Sequence, residues 1–180
     1  MNVYVLFSTK ERVKILNKII YKVGSISVNA VAREVQLSKG LVSKYFGLLV
    51  SEGMLEKKDG KFHVQNNANV KAVKIFLNLN LFDTDFFDKY DFIKGAGLYG
   101  SLVKGVNTED SDIDLWILTE GASEEFLAKL TSELGATFGD ARPLYLTREK
   151  LELLKRADPP FYHSLIFGSI TIHGERLEEV

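Results

Sequence analysis

No cysteine occurs among the 180 residues. Disulfides and thiolate metal sites are therefore excluded, and any metal must be held by carboxylates, histidine or backbone oxygens. No apolar run approaches the roughly 20 residues that a membrane span needs. Met1 to Phe7 carry no basic segment ahead of their apolar residues and no small-residue cleavage site, so the expectation is a soluble cytoplasmic protein without a secretory signal. Net charge is nearly absent as well, at −1. With 46% hydrophobic and 26% charged residues, the chain has the apolar content of one or two small cores, which argues against disorder.

The small net charge conceals an asymmetry. Residues 1–82 hold 13 Lys/Arg against 5 Asp/Glu, and residues 83–180 hold 10 against 19, so a half of charge +8 precedes a half of charge −9. A basic module for polyanions joined to a domain of different activity explains such a division.

In the basic half, Val13, Leu16, Ile19, Ile20 and Val23 recur at three- and four-residue steps, which predicts an amphipathic helix from Lys10 ended by Gly24. Ser27 precedes a second helix, Val28 to Val35. Ser38 caps a third, in which Leu41, Val42, Tyr45, Phe46, Leu48 and Leu49 face inward and Lys39, Ser43 and Lys44 face outward. Two short alternating runs around Asp59-Gly60 predict a hairpin carrying Lys57, Lys58 and Lys61. His63 in its second strand is read as structural or solvent-facing.

This order, with Val28–Val35 ahead of Leu37-Ser38-Lys39-Gly40-Leu41-Val42-Ser43-Lys44-Tyr45-Phe46, resembles winged helix-turn-helix transcription regulators over about residues 10–65. The resemblance implies double-stranded DNA as a partner. Lys39, Ser43 and Lys44 would enter a major groove, with Lys57, Lys58 and Lys61 on neighbouring phosphates. A helical module used for dimerisation or partner binding is the other reading.

Asn66 to Asn69 form a polar break. Val70, Val73, Ile75, Phe76, Leu77, Leu79, Leu81 and Phe82 then predict a strongly apolar connecting or dimerising helix, and Phe86, Phe87, Tyr90 and Ile93 predict a second amphipathic helix over Thr84 to Ile93. The expected organisation is 1–65, a connection over 66–94, and a second domain over 95–180, with a homodimer possible.

In the acidic half, Ala96 to Gly100, Asp112 to Leu118 and Arg142 to Leu146 read as strands, and Ser169 to His173 as a final strand or an extended tail. Ser123 to Leu134 reads as a helix with Phe126, Leu127, Leu130 and Leu134 inside, ended by Gly135; further helices follow Thr147 and Pro159-Pro160. Asp112 and Asp114, two residues apart on a strand, project from one face and make a hard-cation site. Gly100-Ser101 ends the preceding apolar run, where a glycine lets a phosphate approach the backbone.

Gly100, Ser101, Lys104, Gly105, Ser111, Asp112 and Asp114 together resemble the polymerase β-type nucleotidyltransferases, in particular the minimal, antitoxin-like ones. The fold implied is α+β in two domains, a winged helix of three helices and a hairpin followed by a small α/β nucleotidyltransferase domain with a mixed sheet. The activity implied is transfer of a nucleoside monophosphate from a nucleoside triphosphate to a hydroxyl, on a partner protein such as a toxin. Asp112 and Asp114 would hold Mg²⁺ or Mn²⁺, and Gly100, Ser101, Lys104 and Ser111 would hold the nucleotide.

Active relatives add a third carboxylate from the next strand. Here Arg142 and Pro143 stand where the family commonly has an apolar residue and that acid, and Asp140 just ahead of the strand is the candidate to substitute for it. Without a substitute, the alternative is a transcriptional regulator whose transferase-like domain is catalytically degenerate and serves nucleotide sensing or dimerisation.

Overall fold

In the computed structural model, which describes residues 2–180, hydroxyl caps set the helix starts of the first half. After a short turn α1 (Val3–Leu6), Thr9 Oγ1 accepts from Arg12 N at 3.3 Å and opens α2 (Lys10–Ile19). Ser27 caps α3 (Val28–Val35) and Ser38 caps α4 (Lys39–Ser51) in the same way, each capped N–H lying at 3.3 Å. Strands β1 (Leu55–Lys58) and β2 (Lys61–Val64) pair antiparallel through Asp59-Gly60, both at positive φ, the conformation a two-residue hairpin turn requires. Val23 lies outside the core, 69% exposed, because α2 has ended before it.

The chain divides into two units. One runs to Leu77 and takes in Gly105–Asp110; the other comprises Asn78–Lys104 and Ser111–Val180. The segment 66–94 is therefore divided rather than separate. Its helix α5 (Ala68–Leu79) buries Val70, Val73 and Leu77 in the first core with Leu16, Phe46 and Leu49, whereas Phe82, Phe86 and Phe87 belong to the second. No helix spans Thr84 to Ile93. A 3₁₀ turn (Thr84–Lys89) packs Phe86 edge-on against Phe87 and Phe138, and Ile93 already begins a strand. Tertiary aromatic packing has overridden the helical spacing.

The second unit is built on a mixed four-stranded sheet in the order β5-β4-β3-β6, formed by β3 (Ile93–Leu98), β4 (Ile113–Thr119), β5 (Ala141–Leu146) and β6 (Ile170–Gly174). Pairing is antiparallel for β3 with β4 and with β6, and parallel for β4 with β5. The short helix α6 (Ser101–Lys104) follows β3, and α7 (Glu124–Phe138) supplies the crossover between the parallel pair. Gly135 does not end α7; its position is exposed, and the helix continues to the glycine at 139. Phe126, expected inside, is 56% exposed and stacks on Phe92.

Helices α8 (Arg148–Ala157) and α9 (Pro159–Gly168) cover the opposite face. Leu98, Leu115, Ile117, Leu130 and Leu134 fill one side of the sheet, and Trp116, Leu118, Leu146, Leu151 and Leu165 fill the other. Being buried on both faces explains why β4 reads as a continuous apolar run. No helix among the described residues is long and apolar enough to cross a membrane.

Candidate nucleotide-binding site

Alternation along β4 decides what faces the site. Leu115 and Ile117 turn toward α7, so Asp114, with Trp116 and Leu118 beyond it, turns toward the other face, and Asp112 immediately before the strand shares that side. Trp116 and Leu118 are covered there, while both aspartates at the strand's start remain half-buried.

The antiparallel neighbour brings the glycine to them. Leu98 pairs with Leu115, and Tyr99 N donates to Asp114 O at 3.1 Å, so Gly100 emerges beside the Asp114 side chain. Gly100 has φ +72°, and a Cβ built on it would run into the Asp114 carboxylate. Both properties demand glycine. The two halves of the motif, 14 positions apart in sequence, thus meet through sheet register. Ser101 and Lys104 occupy the ends of α6, with Ser101 half-buried and Lys104 exposed; Ser111 is half-buried next to Asp112.

Two residues near this centre escaped the sequence reading. Buried Asn78 donates its Nδ2 to Leu102 O at 2.8 Å and so fixes α6. Tyr99 packs edge-on to Phe161, and burial together with the Asp114 charge pushes its hydroxyl pKa up. A polar residue inside an apolar helix was the available signal for Asn78, whereas for Tyr99 only the register reveals the proximity.

The third strand position carries the opposite charge from the one expected in an active transferase. The parallel register sets Arg142 opposite Asp114, and since Leu144 and Leu146 pack on the Trp116 side, Arg142 faces the aspartates while Pro143 faces away. Arg142, not Pro143, thus occupies the third carboxylate's place. Its Nη1 lies 2.6 Å from Asp112 Oδ2, and its Nη2 lies 3.9 Å from Asp140 Oδ2. Even so, the Asp112 carboxyl is held above its ordinary pKa, by burial first and by hydrogen bonding with Asp140, with Arg142 opposing. Burial and then the Asp112 charge raise Asp114 as well, again against Arg142. One guanidinium leaves the acidic cluster undercompensated.

That electrostatic excess is what a divalent cation relieves, and Asp112 and Asp114 are the two carboxylates that would hold one, with Arg142 paired to Asp112 in this structure. They do not make a full cage: among the described residues no three His, Asp or Glu side chains are grouped to hold a metal. Asp140, 71% exposed, lies 3.9 Å from Arg142 and hydrogen-bonds with Asp112, at the edge of the pair rather than as a third metal donor.

The sequence-predicted DNA-contacting residues all lie in the first unit. Lys39, Ser43 and Lys44 are exposed on α4, and Lys57, Lys58 and Lys61 are exposed on the hairpin, with the Lys57 ammonium 5.8 Å from the Phe62 ring centroid.

A glycine turn and a carboxylate pair set side by side on a small mixed sheet define a nucleotidyltransferase-type domain. The model of the family Polymerase beta, Nucleotidyltransferase matches residues 84–176, and the chain belongs to that family. No match to the chain was found among curated proteins.

Proposed function

We propose that the second unit binds a nucleoside triphosphate with Mg²⁺ or Mn²⁺ and transfers its nucleoside monophosphate to a hydroxyl, the acceptor being a side chain of a partner protein such as a toxin. The observation that carries this reading is the apposition of Gly100 to Asp114, which puts a side-chain-free backbone segment beside the carboxylate pair. There the triphosphate lies along Gly100 and Ser101, with the Ser101 and Ser111 hydroxyls as donors and the Lys104 ammonium as counter-charge. Asp112 and Asp114 would hold the metal, which supplies charge neutralisation at the α-phosphate and the leaving pyrophosphate. The acceptor hydroxyl oxygen bonds to the α-phosphorus, the α–β bridging P–O bond breaks, and the hydroxyl proton passes to Asp140.

Arg142 must release Asp112 before a metal can be shared, and this ion pair favours a second reading. In it Arg142 is a fixed internal cation, transfer has been lost, and the domain senses nucleotide or dimerises within a transcriptional regulator. The first unit serves either reading as a winged-helix module on double-stranded DNA, supported by its excess of basic residues and by the exposed lysines of α4 and the hairpin.

Incubating the chain with α-labelled ATP, GTP, CTP and UTP, Mg²⁺ or Mn²⁺ and cell extract tests transfer. Label on an acceptor with wild type but not with Asp112→Ala/Asp114→Ala supports the first reading. Absence of label with every nucleotide leaves the second.

A further inference from the structure

The first unit contains a cavity of about 390 Å³, which falls in the roughly 300–1,000 Å³ range of small-molecule sites. Lys22, His63, Gln65, Lys74, Gly105 and Thr108 are among the residues lining it. We propose that this cavity binds a small phosphorylated ligand of mononucleotide size, with Lys74 and Lys22 as its anion-binding groups.

Lys74 carries the argument. It is only 8% exposed, a rare condition for lysine, which is normally buried only when paired with an acid. Its ammonium donates to Asn107 O at 2.6 Å and stands 5.6 Å from the Tyr21 ring centroid, yet among the described residues no carboxylate pairs with it. A carbonyl and an aromatic face do not neutralise a buried charge, and such a charge is costly until an anion meets it. Burial accordingly holds the Lys74 pKa below that of an ordinary lysine. The cavity beside Lys74 gives that anion room.

Lys22 is the second cation on the same cavity. Its partner is Glu109, at 3.4 Å, longer than the roughly 2.7–2.9 Å of a well-formed charge-assisted bond. A phosphate displaces Glu109 from Lys22 and meets both ammonium groups, while the His63 imidazole and the Gln65 amide offer further donors. Two lysine charges favour a phosphomonoester dianion over a carboxylate or a neutral metabolite. A DNA phosphate is disfavoured because an ammonium buried to this degree is out of reach of a duplex backbone.

Occupancy also acts on a particular segment. Residues 105–110 are pinned to this unit by the Lys74 bond to Asn107, by Glu109 N donating to Tyr21 O at 3.0 Å, and by the Lys22–Glu109 pair. In sequence the same residues join Lys104 to Ser111, and so link the Gly100–Lys104 half of the nucleotide motif to its Ser111–Asp114 half. A ligand that takes over Lys22 loosens one of these three ties, so the amides of Val106 and Thr108 report its arrival.

Calorimetric titration of the full chain in EDTA with AMP, inorganic phosphate and adenosine tests the proposal. AMP is expected to bind with Kd between about 10 µM and 1 mM, phosphate more weakly, and adenosine not at all. Lys74→Gln and Lys22→Gln each weaken AMP about tenfold, and AMP shifts the NMR amide signals of Val106 and Thr108. Asp112→Ala/Asp114→Ala keeps wild-type affinity, which separates this site from the motif and makes its failure independent of the transferase reading. Silence from both AMP and phosphate overturns the proposal. So does equal binding of adenosine, loss of binding in the aspartate variant, or no effect of either lysine variant. If Lys74→Gln does not fold, the half-exposed Lys22→Gln decides alone.

Discussion

Replacing Gly100 by alanine should damage the candidate site far more than the backbone strain alone would suggest, and Gly121 is the control that separates the two effects. The glycines have φ of +72° and +71°, so alanine meets the same left-handed penalty at each, about 1–2 kcal/mol. They differ in what the new methyl meets: open space at Gly121, the Asp114 carboxylate at Gly100. Forcing Asp114 off its rotamer adds about 0.5–1.5 kcal/mol. Gly121→Ala should therefore lose about 1–2 kcal/mol and Gly100→Ala about 1.5–3.5 kcal/mol. A gap near 1 kcal/mol corresponds to a Tm difference of about 4–8 °C in a unit of this size. The chain's one tryptophan, fully buried Trp116, lies in the second unit, so its fluorescence in urea follows that unit. Metal-dependent nucleotide binding should vanish in Gly100→Ala and survive in Gly121→Ala. Equal stability losses together with retained binding in Gly100→Ala would refute the claim that the two motif halves are in contact.

Arg142→Ala should raise Mn²⁺ affinity about two- to fivefold, the scale set by exposed ion pairs, without loss of stability; unchanged affinity in a metal titration contradicts a competing guanidinium. Lys39→Glu/Lys44→Glu should abolish gel retardation of duplex DNA at low salt and flatten the salt dependence by about two, whereas wild-type retardation removes α4 from the interface. Alkali should destabilise the protein in a defined window. Burial pushes the Tyr21 and Tyr90 hydroxyls up to about 12, against roughly 10 in an unfolded chain. Below pH 10 their contribution is complete; between pH 10 and 12 the unfolded state releases protons that the folded state keeps, so stability falls as pH rises. Urea midpoints across that window should decline, less steeply for Tyr21→Phe, and a flat profile would contradict the burial argument.

Local signals made much of this fold legible. Ser27 and Ser38 each precede a clean helical stripe, and α3 and α4 start where those caps place them. The glycine turn and the Asp112/Asp114 pair could be read because each closes or opens an apolar run. What escaped depends on partners distant in sequence. Phe86, Phe87, Tyr90 and Ile93 satisfy a helical spacing, yet the aromatic cluster with Phe138 holds them in a 3₁₀ turn and a strand. Which of Arg142 and Pro143 faces the aspartates is fixed by β4–β5 register, a quantity no single strand encodes. Lys74 is a lysine amid the apolar residues of its helix, which does not say whether it points outward; only the packing around it shows a buried cation.

The most direct test of the central claim is Mn²⁺ binding followed by electron paramagnetic resonance, with each of the four nucleoside triphosphates, for wild type and for Asp112→Ala/Asp114→Ala. With at least one nucleotide, wild type should remove more Mn²⁺ from the free pool than the nucleotide does alone, and the double variant should add nothing to that control. Equal Mn²⁺–nucleotide binding by both proteins, or binding by neither, would contradict a metal–nucleotide site built on Asp112, Asp114 and Gly100.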